Sequence, residues 1–199
     1  MPEERKCSGY GTGMKRRSDT EMTQGTRLLR SFYIRDVLDV APELVGKTLV
    51  VRNGNDRLRW FIITETEAYR GTEDLACHAC RGRTSRTGVM FGQGGRLYVY
   101  FVYGMHWMLN IVAGEENNPQ AVLIRGIEGF NGPGKLTREL GIDGSFYGED
   151  LTISERIWVE DTGLKPDLKS GPRIGIDYAG ETWKNKPWRY YLSEQYGTS

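Results

Sequence analysis

The chain contains the stretch Arg96-Leu97-Tyr98-Val99-Tyr100-Phe101-Val102-Tyr103-Gly104-Met105-His106-Trp107-Met108-Leu109-Asn110-Ile111-Val112. Within it, Leu97, Val99 and Phe101 alternate with tyrosines, which is the period of two expected for a strand with two occupied faces. Gly104 separates this run from a second run of the same character, so the pattern predicts two successive strands, 96–103 and 106–112.

Similar β-rich runs lie on both sides of this stretch. The pattern predicts further strands over 47–52, 58–68, 121–127, 152–159, 173–177 and 188–192. The polar sequence Asn53-Gly54-Asn55-Asp56 is typical of a hairpin turn between the first two of these strands.

Helical spacing of apolar residues is confined to short segments. Residues 33–45 have that spacing, with Pro42 suited to the first turn of a second short helix and Gly46 to a helix end. A further short helix is predicted over 135–140, ended by Gly141. Together these elements predict an α+β fold, a single domain with a curved, mostly antiparallel β-sheet flanked by short helices.

Length and composition limit the class of protein. The chain has 199 residues, which is typical of one domain, and residues 1–27 are so polar that we expect a disordered tail before a single domain over 28–199. No apolar run reaches the roughly 18 residues of a membrane span, and the first residues do not have the pattern of a signal peptide. We therefore expect no membrane association and an intracellular location, in the cytoplasm of a prokaryote or the nucleus of a eukaryote.

The net charge hides an uneven distribution. The 27 Lys and Arg residues nearly balance the 26 Asp and Glu residues, which argues against a strongly basic nucleic-acid binder. Residues 75–114, however, contain no Asp or Glu, while they carry four arginines and both histidines of the chain. Aromatic residues alternate with these cations, a combination suited to phosphates and bases, although several of the rings must belong to the core.

Three polar residues in apolar surroundings are candidates for chemistry. Period two places Ile63, Glu65, Glu67 and Tyr69 on one strand face, and one of the two carboxylates is a candidate general base. Arg125 interrupts an apolar run and needs an anionic partner, for which Glu65 or Glu67 is available. Asn110 is a buried amide that reads a base edge or closes a backbone hydrogen bond, and a solvated strand end remains the alternative for the charged residues.

Cys77-His78-Ala79-Cys80 has the CxxC spacing of a zinc or redox site. A zinc site needs four ligands, and the rest of the chain offers only Cys7 and His106 in unsuitable contexts, while no βαβ pattern surrounds the motif. Ordinary loop cysteines in a reducing compartment are therefore the favoured interpretation, with a zinc or redox protein as the alternative.

The motifs together resemble the alkyladenine (3-methyladenine) DNA glycosylase family. The resemblance covers residues 29–193 and rests on segments that occur in the family's order: Thr64-Glu65-Thr66-Glu67-Ala68-Tyr69, Glu73-Asp74-Leu75-Ala76-Cys77-His78, Leu97 to Met105, Leu109-Asn110-Ile111, Val122 to Arg125, Gly132 to Leu136 and Arg173 to Ile176. It implies an enzyme that flips alkylated or deaminated purines out of duplex DNA and hydrolyses the N-glycosidic bond.

Roles follow from the resemblance by motif position. Glu67 would activate water and Arg125 would help to hold it. Tyr69, His78, Tyr100 and Asn110 would form the base pocket, with Asn110 rejecting the amino group of guanine. Tyr103 would be the wedge that fills the duplex, and Met105, Lys135, Ile174 and Gly175 would contact DNA or the lesion.

The resemblance also implies the partners and cofactors. We expect a monomer whose partner is double-stranded DNA with damaged purines, with no cofactor and no metal, and with no Schiff-base chemistry because no lysine stands at the carboxylate position. The alternative is a DNA-binding module of the same fold without catalysis.

Overall fold

The computed structural model describes residues 25–52 and 54–193, so Cys7 and Asn53 lie outside the described residues, as does the predicted disordered tail apart from residues 25–27. Its strands are β1 Thr26–Arg27, β2 Thr48–Arg52, β3 Leu58–Arg70, β4 Leu97–Val102, β5 His106–Ala113, β6 Gln120–Ile127, β7 Phe130–Asn131, β8 Ile157–Asp161, β9 Leu168–Gly171 and β10 Arg189–Leu192. Its helices are α1 Arg30–Tyr33, α2 Val37–Leu44, α3 Pro133–Leu140 and α4 Glu181–Lys184. The first strand among the described residues, β1, lies just before Leu28.

The strands form one antiparallel sheet in the order β1-β8-β2-β3-β6-β5-β4. The long strand β3 pairs with β2 over its first half and with β10 over its second, and β9 and β7 extend the sheet beyond β10 and β6. The predicted α+β class with a mostly antiparallel sheet and short helices is confirmed.

Register gives the sheet two chemically different faces. Tyr98, Asn110, Leu123 and Glu67 are direct partners across β4, β5, β6 and β3, so their side chains share one face. The intervening residues of the same strands, including Leu97, Leu109, Val122 and Ala68, enter the main hydrophobic core on the other face. The strands that form the core therefore also present a row of polar and aromatic groups.

One prediction about strand faces is wrong. Ile63 packs into the main core together with Ala68, five residues further along, so it does not share a face with Glu65 and Glu67. The cause is an irregularity in the β3–β6 ladder, where the register shifts on both sides of Glu65 and leaves Arg125 without a directly opposite partner. Such bulges reverse the alternation of faces and redirect side chains.

The predicted helix break at Pro42 is also wrong. Helix α2 runs through Pro42 because Val37, Val40, Ala41 and Leu44 form one continuous buried stripe, and it starts where the Asp36 carboxylate accepts a hydrogen bond from the Leu38 N–H at 2.9 Å. The predicted end at Gly46, which has φ +87°, agrees with the helix ending at Leu44.

Two predicted strands lie elsewhere. Residues 173–177 are irregular because Arg173 is drawn into a buried ion pair and Gly175 has φ +78°, and the neighbouring strand is β9 instead. The strand predicted over 152–159 begins only at Ile157, since the side chains of Asp150 and Ser154 bind backbone N–H groups in a preceding turn.

Among the described residues, no helix is long and apolar enough to cross a membrane.

Candidate functional site

A cavity of about 560 Å³ lies over the polar face of the sheet. Its volume is in the range of about 300–1,000 Å³ that is typical of small-molecule sites. Strands β3, β6, β5 and β4 contribute Tyr69, Leu123, Arg125, Met108, Asn110, Tyr98 and Tyr100, and two loops contribute His78, Arg81, Arg86, Ile174, Gly175 and Tyr178. The site residues predicted on distant segments therefore converge on one cavity.

Glu67 is fully buried and does not itself line the cavity, but it contacts three residues that do: Tyr69, Arg125 and Ile174. One carboxylate oxygen accepts a hydrogen bond from the Ile174 N–H at 2.8 Å, and the other accepts from the Tyr69 hydroxyl at 2.9 Å. Burial raises the pKa of Glu67, although the Arg125 guanidinium and the two hydrogen bonds act in the opposite direction. A desolvated carboxylate with an upward-shifted pKa is suited to accept a proton.

Arg125 lies between the two glutamates. Its Nε is 3.1 Å from Glu65 Oε1 and 3.5 Å from Glu67 Oε1. Arg189 also donates to Glu65 Oε1, at 3.1 Å, so Glu65 is held by two cations. The carboxylate of Glu65 is therefore engaged in positioning arginines, whereas Glu67 is the less compensated of the pair and the better candidate base.

His78 enters the cavity as a neutral imidazole. Its Nδ1 lies 2.9 Å from the Tyr98 hydroxyl, and its ring meets the Tyr100 ring edge-on with centroids 4.7 Å apart. Burial, together with the charges of Arg86 and Arg81, lowers the pKa of His78 to about 4. At neutral pH it therefore acts as a hydrogen-bonding group without charge.

Asp74 and Arg173 form a buried, bidentate ion pair behind the cavity. The N–O distances are 2.6 and 3.0 Å, and both side chains are inaccessible to solvent. The Asp74 carboxylate also accepts hydrogen bonds from the N–H groups of Arg70 and Ala76, while Arg173 donates to the Ala68 carbonyl. This network ties β3 to the loop that carries His78.

Arg173 also fixes groups that touch Glu67. Its guanidinium lies 4.8 Å from the centre of the Tyr69 ring and 5.0 Å from that of Trp188. The next residue, Ile174, provides the N–H that binds Glu67. The buried cation therefore positions both hydrogen-bond donors of the candidate base.

The prediction that Tyr103 belongs to the strand 96–103 is wrong: Tyr103 occupies the turn between β4 and β5. Tyr103 and Gly104 both have positive φ, +50° and +66°, and the Met105 N–H donates to the Val102 carbonyl, as in a type I′ turn. A tyrosine in this region of backbone conformation carries strain of about 1–3 kcal/mol. The turn holds the ring 89% exposed at the edge of the cavity.

The remaining predicted site residues divide into two groups. Asn110 lines the cavity and donates through Nδ2 to the Tyr98 carbonyl at 3.0 Å, and Ile174 and Gly175 line it from their loop. Met105 and Lys135 are exposed and lie outside the cavity lining, on the β4–β5 turn and on α3. The structure thus brings together the pocket residues and leaves these two at the surrounding surface.

Unpaired cations lie at the cavity. Most arginines of the described residues pair with carboxylates, for example Arg30 with Asp150 and Arg156 with Glu149. Arg81 and Arg86 line the cavity and have no carboxylate partner in the part of the chain that the structure describes. Such groups are available to an anion, as the acid-free window 75–114 predicts.

The two cysteines of the CxxC motif, Cys77 and Cys80, are free thiols. Cys77 is buried, which raises the pKa of its thiol to about 12, and Cys80 lies at the cavity as a second free thiol. In the described ranges, no three His, Cys, Asp or Glu side chains converge to hold a metal ion. These observations give no support to the zinc alternative.

Sequence reasoning did not identify the supporting residues Asp74, Tyr98, Arg173 and Tyr178. Asp74 and Arg173 stand inside quoted motifs, but only their spatial proximity shows that they pair. Tyr98 was visible as an alternating strand residue with no sign of its bond to His78. Tyr178 directly follows the strand predicted over 173–177, and nothing in that pattern indicates its place at the cavity.

Comparison with known proteins shows which family this chain is similar to. The family profile "Methylpurine-DNA glycosylase (MPG)" matches residues 31–131 and 128–196. A protein of Desulfitobacterium hafniense (strain Y51) named "Putative 3-methyladenine DNA glycosylase" is 44% identical over 196 residues, which cover 84% of this chain and 96% of the relative. A protein of the same name from Wolbachia pipientis wMel is 47% identical over 176 residues, covering 85% of this chain and 93% of the relative.

The buried ion pair leads to a stability prediction. We expect Arg173→Gln to lower the free energy of unfolding by about 3–5 kcal/mol, because the Asp74 charge is left buried without a partner. The double variant Asp74→Asn, Arg173→Gln should recover part of this loss, since neither charge then remains. Urea unfolding of both variants tests the interaction, and a double variant no more stable than Arg173→Gln contradicts it.

Proposed function

The chain belongs to the methylpurine-DNA glycosylase family, and on this premise we propose that it excises alkylated or deaminated purines, such as 3-methyladenine, hypoxanthine and ethenoadenine, from duplex DNA. The reaction is hydrolysis of the N-glycosidic bond by a water that Glu67 activates, and the product is an abasic site. The position of Glu67 carries the proposal: it is a fully buried carboxylate in contact with residues that line an aromatic cavity, beside a guanidinium.

In the proposed reaction, water displaces the purine from the sugar. The oxygen of water bonds to the sugar carbon C1′ while the bond from C1′ to N9 of the purine breaks, and its electron pair leaves with the base. Glu67 accepts the proton of the water, and its negative charge stabilises the positive charge that develops on the sugar. A cationic alkylated purine leaves as a neutral molecule, which makes it a good leaving group without a separate acid. A neutral lesion such as hypoxanthine or ethenoadenine leaves as an anion, which takes up a proton from water.

The walls of the cavity favour a damaged purine over a normal base. Alkylation makes the ring electron-poor, and the tyrosine faces of the cavity are electron-rich. Asn110 is held by its bond to the Tyr98 carbonyl, so it cannot swing aside for an additional amino group such as that of guanine. The neutral His78 offers a hydrogen bond without repelling a cationic lesion.

Entry into such a cavity requires the nucleotide to leave the base stack. We propose that Tyr103, presented by its turn, fills the vacated space, and that Arg81 and Arg86 meet the phosphates beside it. Met105 and Lys135 are proposed DNA contacts at the same surface. No lysine is among the described residues that line the cavity, which supports a monofunctional hydrolase without a Schiff-base intermediate. We further propose that the protein acts as a monomer.

Replacing the proposed base separates catalysis from binding. We expect Glu67→Gln to lower single-turnover excision from a hypoxanthine or ethenoadenine duplex by about 100-fold or more while binding is kept, because the amide cannot accept the proton. Glu128→Gln serves as the control, because it makes the same chemical change at an exposed position directly after β6. Excision by Glu67→Gln at the parental rate disproves the role, and a parental protein that binds lesions without releasing any base is the non-catalytic binding module.

The pKa directions predict the pH dependence of excision. Glu67 must be ionised to act, and its pKa lies above the ordinary 4.5, so the rate should rise with pH through that raised value. Because His78 has a pKa of about 4, His78 should cause no inflection near its ordinary 6.5. Single-turnover rates between about pH 4 and pH 9 test this, and an inflection abolished by His78→Gln would show that the titrating group is His78.

If Tyr103 is the wedge, the loss of excision caused by its replacement should depend on whether the lesion is base-paired. We expect Tyr103→Ser to lower excision of a paired lesion by about tenfold, with a smaller effect on a mismatched lesion, whose extrusion costs less. Tyr103→Phe keeps the ring and should retain excision, and neither change should alter thermal unfolding because the side chain is exposed. Equal losses on paired and mismatched lesions would argue against a wedge.

A further inference from the structure

Exposed apolar side chains gather at the mouth of the cavity. Among the described residues, four of the large apolar side chains that are exposed line it: Leu75, Tyr103, Ile174 and Tyr178. Tyr103 comes from the β4–β5 turn, whereas the other three come from two loops tied together by the Asp74–Arg173 pair. We call Leu75, Ile174 and Tyr178 the second lip. Soluble proteins seldom leave such groups together at the surface unless they bind something.

Tyr178 is the largest member of the second lip and is held in place. Its side chain is 70% exposed, yet its hydroxyl donates to the Ala76 carbonyl at 3.3 Å. The flanking Ile176 and Ala179 are buried with Ala76 in a small cluster that Trp183 covers. The ring is therefore already oriented, so a partner that packs on it loses little additional conformational entropy.

The surroundings of the second lip identify the chemistry of its partner. Arg81 and Arg86 line the same cavity and are unpaired within the described residues, so an anion is favoured beside the apolar ring. A DNA strand combines phosphates with flat bases and apolar sugar faces. Where a nucleotide is extruded, the strand beside it is distorted, so the sugar face of its neighbour becomes accessible at the cavity mouth even when Tyr103 fills the vacated space.

We propose that Tyr178, supported by Leu75, packs against the nucleotide next to the extruded one on the lesion strand. This contact is separate from the wedge Tyr103 and from the base pocket, and it rests on the proposed function. It stabilises the distorted strand outside the cavity, so it acts whether or not a base occupies the pocket.

Binding to two duplexes tests the contact. One carries a central ethenoadenine and the other a central tetrahydrofuran abasic analogue, which has no base to enter the pocket. We expect Tyr178→Ser to weaken binding of the full chain to both duplexes by about tenfold, in line with the loss of one stacking contact. Leu75→Ser should weaken both in the same way to a smaller extent.

Two control variants test whether the aromatic ring of Tyr178 makes the contact. Tyr178→Phe keeps the ring and loses only the bond to Ala76, so its affinity should stay within about threefold of the parent. Ile153→Ser alters a side chain that is 76% exposed and does not line the cavity, so its affinity should be unchanged. Thermal unfolding of each variant establishes that the fold is kept.

The outcomes separate this proposal from the proposed function. If the parent excises ethenoadenine and Tyr178→Ser binds both duplexes as the parent does, the second-lip contact is wrong and the function stands. If Tyr178→Ser weakens binding only to the ethenoadenine duplex, Tyr178 belongs to the base pocket and the strand contact is overturned. If the parent neither prefers lesion duplexes nor excises the base, both proposals fail.

Discussion

The ion pair between Asp74 and Arg173 is the interaction on which the candidate site depends. Two buried charges are costly unless they are paired and hydrogen-bonded. Here each carboxylate oxygen has two partners and the guanidinium donates through Nη1 and Nη2, while its Nε has no hydrogen-bond partner among the described residues. Those partners belong to β3, to the loop before His78 and to the segment before Ile174. The pair therefore holds three parts of the chain in one arrangement, and the donors to Glu67 are consequences of that arrangement.

The sheet explains how one small domain supplies both a core and a reactive surface. Alternate residues of β3, β4, β5 and β6 pack into the main core, so the backbone beneath the cavity is rigid. The other residues of the same strands project towards the cavity in rows set by strand register. Rigid elements position reactive groups more accurately than loops do, and here the loops contribute mainly the walls and lips.

Several residues of the candidate site could be picked out from the sequence because they are charged residues within apolar stretches. Glu67 and Arg125 interrupt apolar runs, and a charge in an apolar run needs a partner, so Glu65 or Glu67 was predicted to pair with Arg125, and the structure places both beside it. The prediction went wrong where tertiary contacts override local pattern: Ile63 changes face at a bulge, α2 continues through Pro42 along a buried stripe, and residues 173–177 are drawn out of a strand by Arg173. None of these has a local signature in the sequence.

The sequence by itself determined the fold class, the central strands β2 to β6, the acid-free aromatic segment and the family resemblance, because alternation, composition and motif order are properties of the linear chain. Only the tertiary structure decided which carboxylate is buried and which is held by two arginines, that Asp74 meets Arg173, and that Tyr98, Asn110, Leu123 and Glu67 form one row. The reason is physical: desolvation and hydrogen bonding depend on register and on contacts between distant segments, which a period of two leaves open.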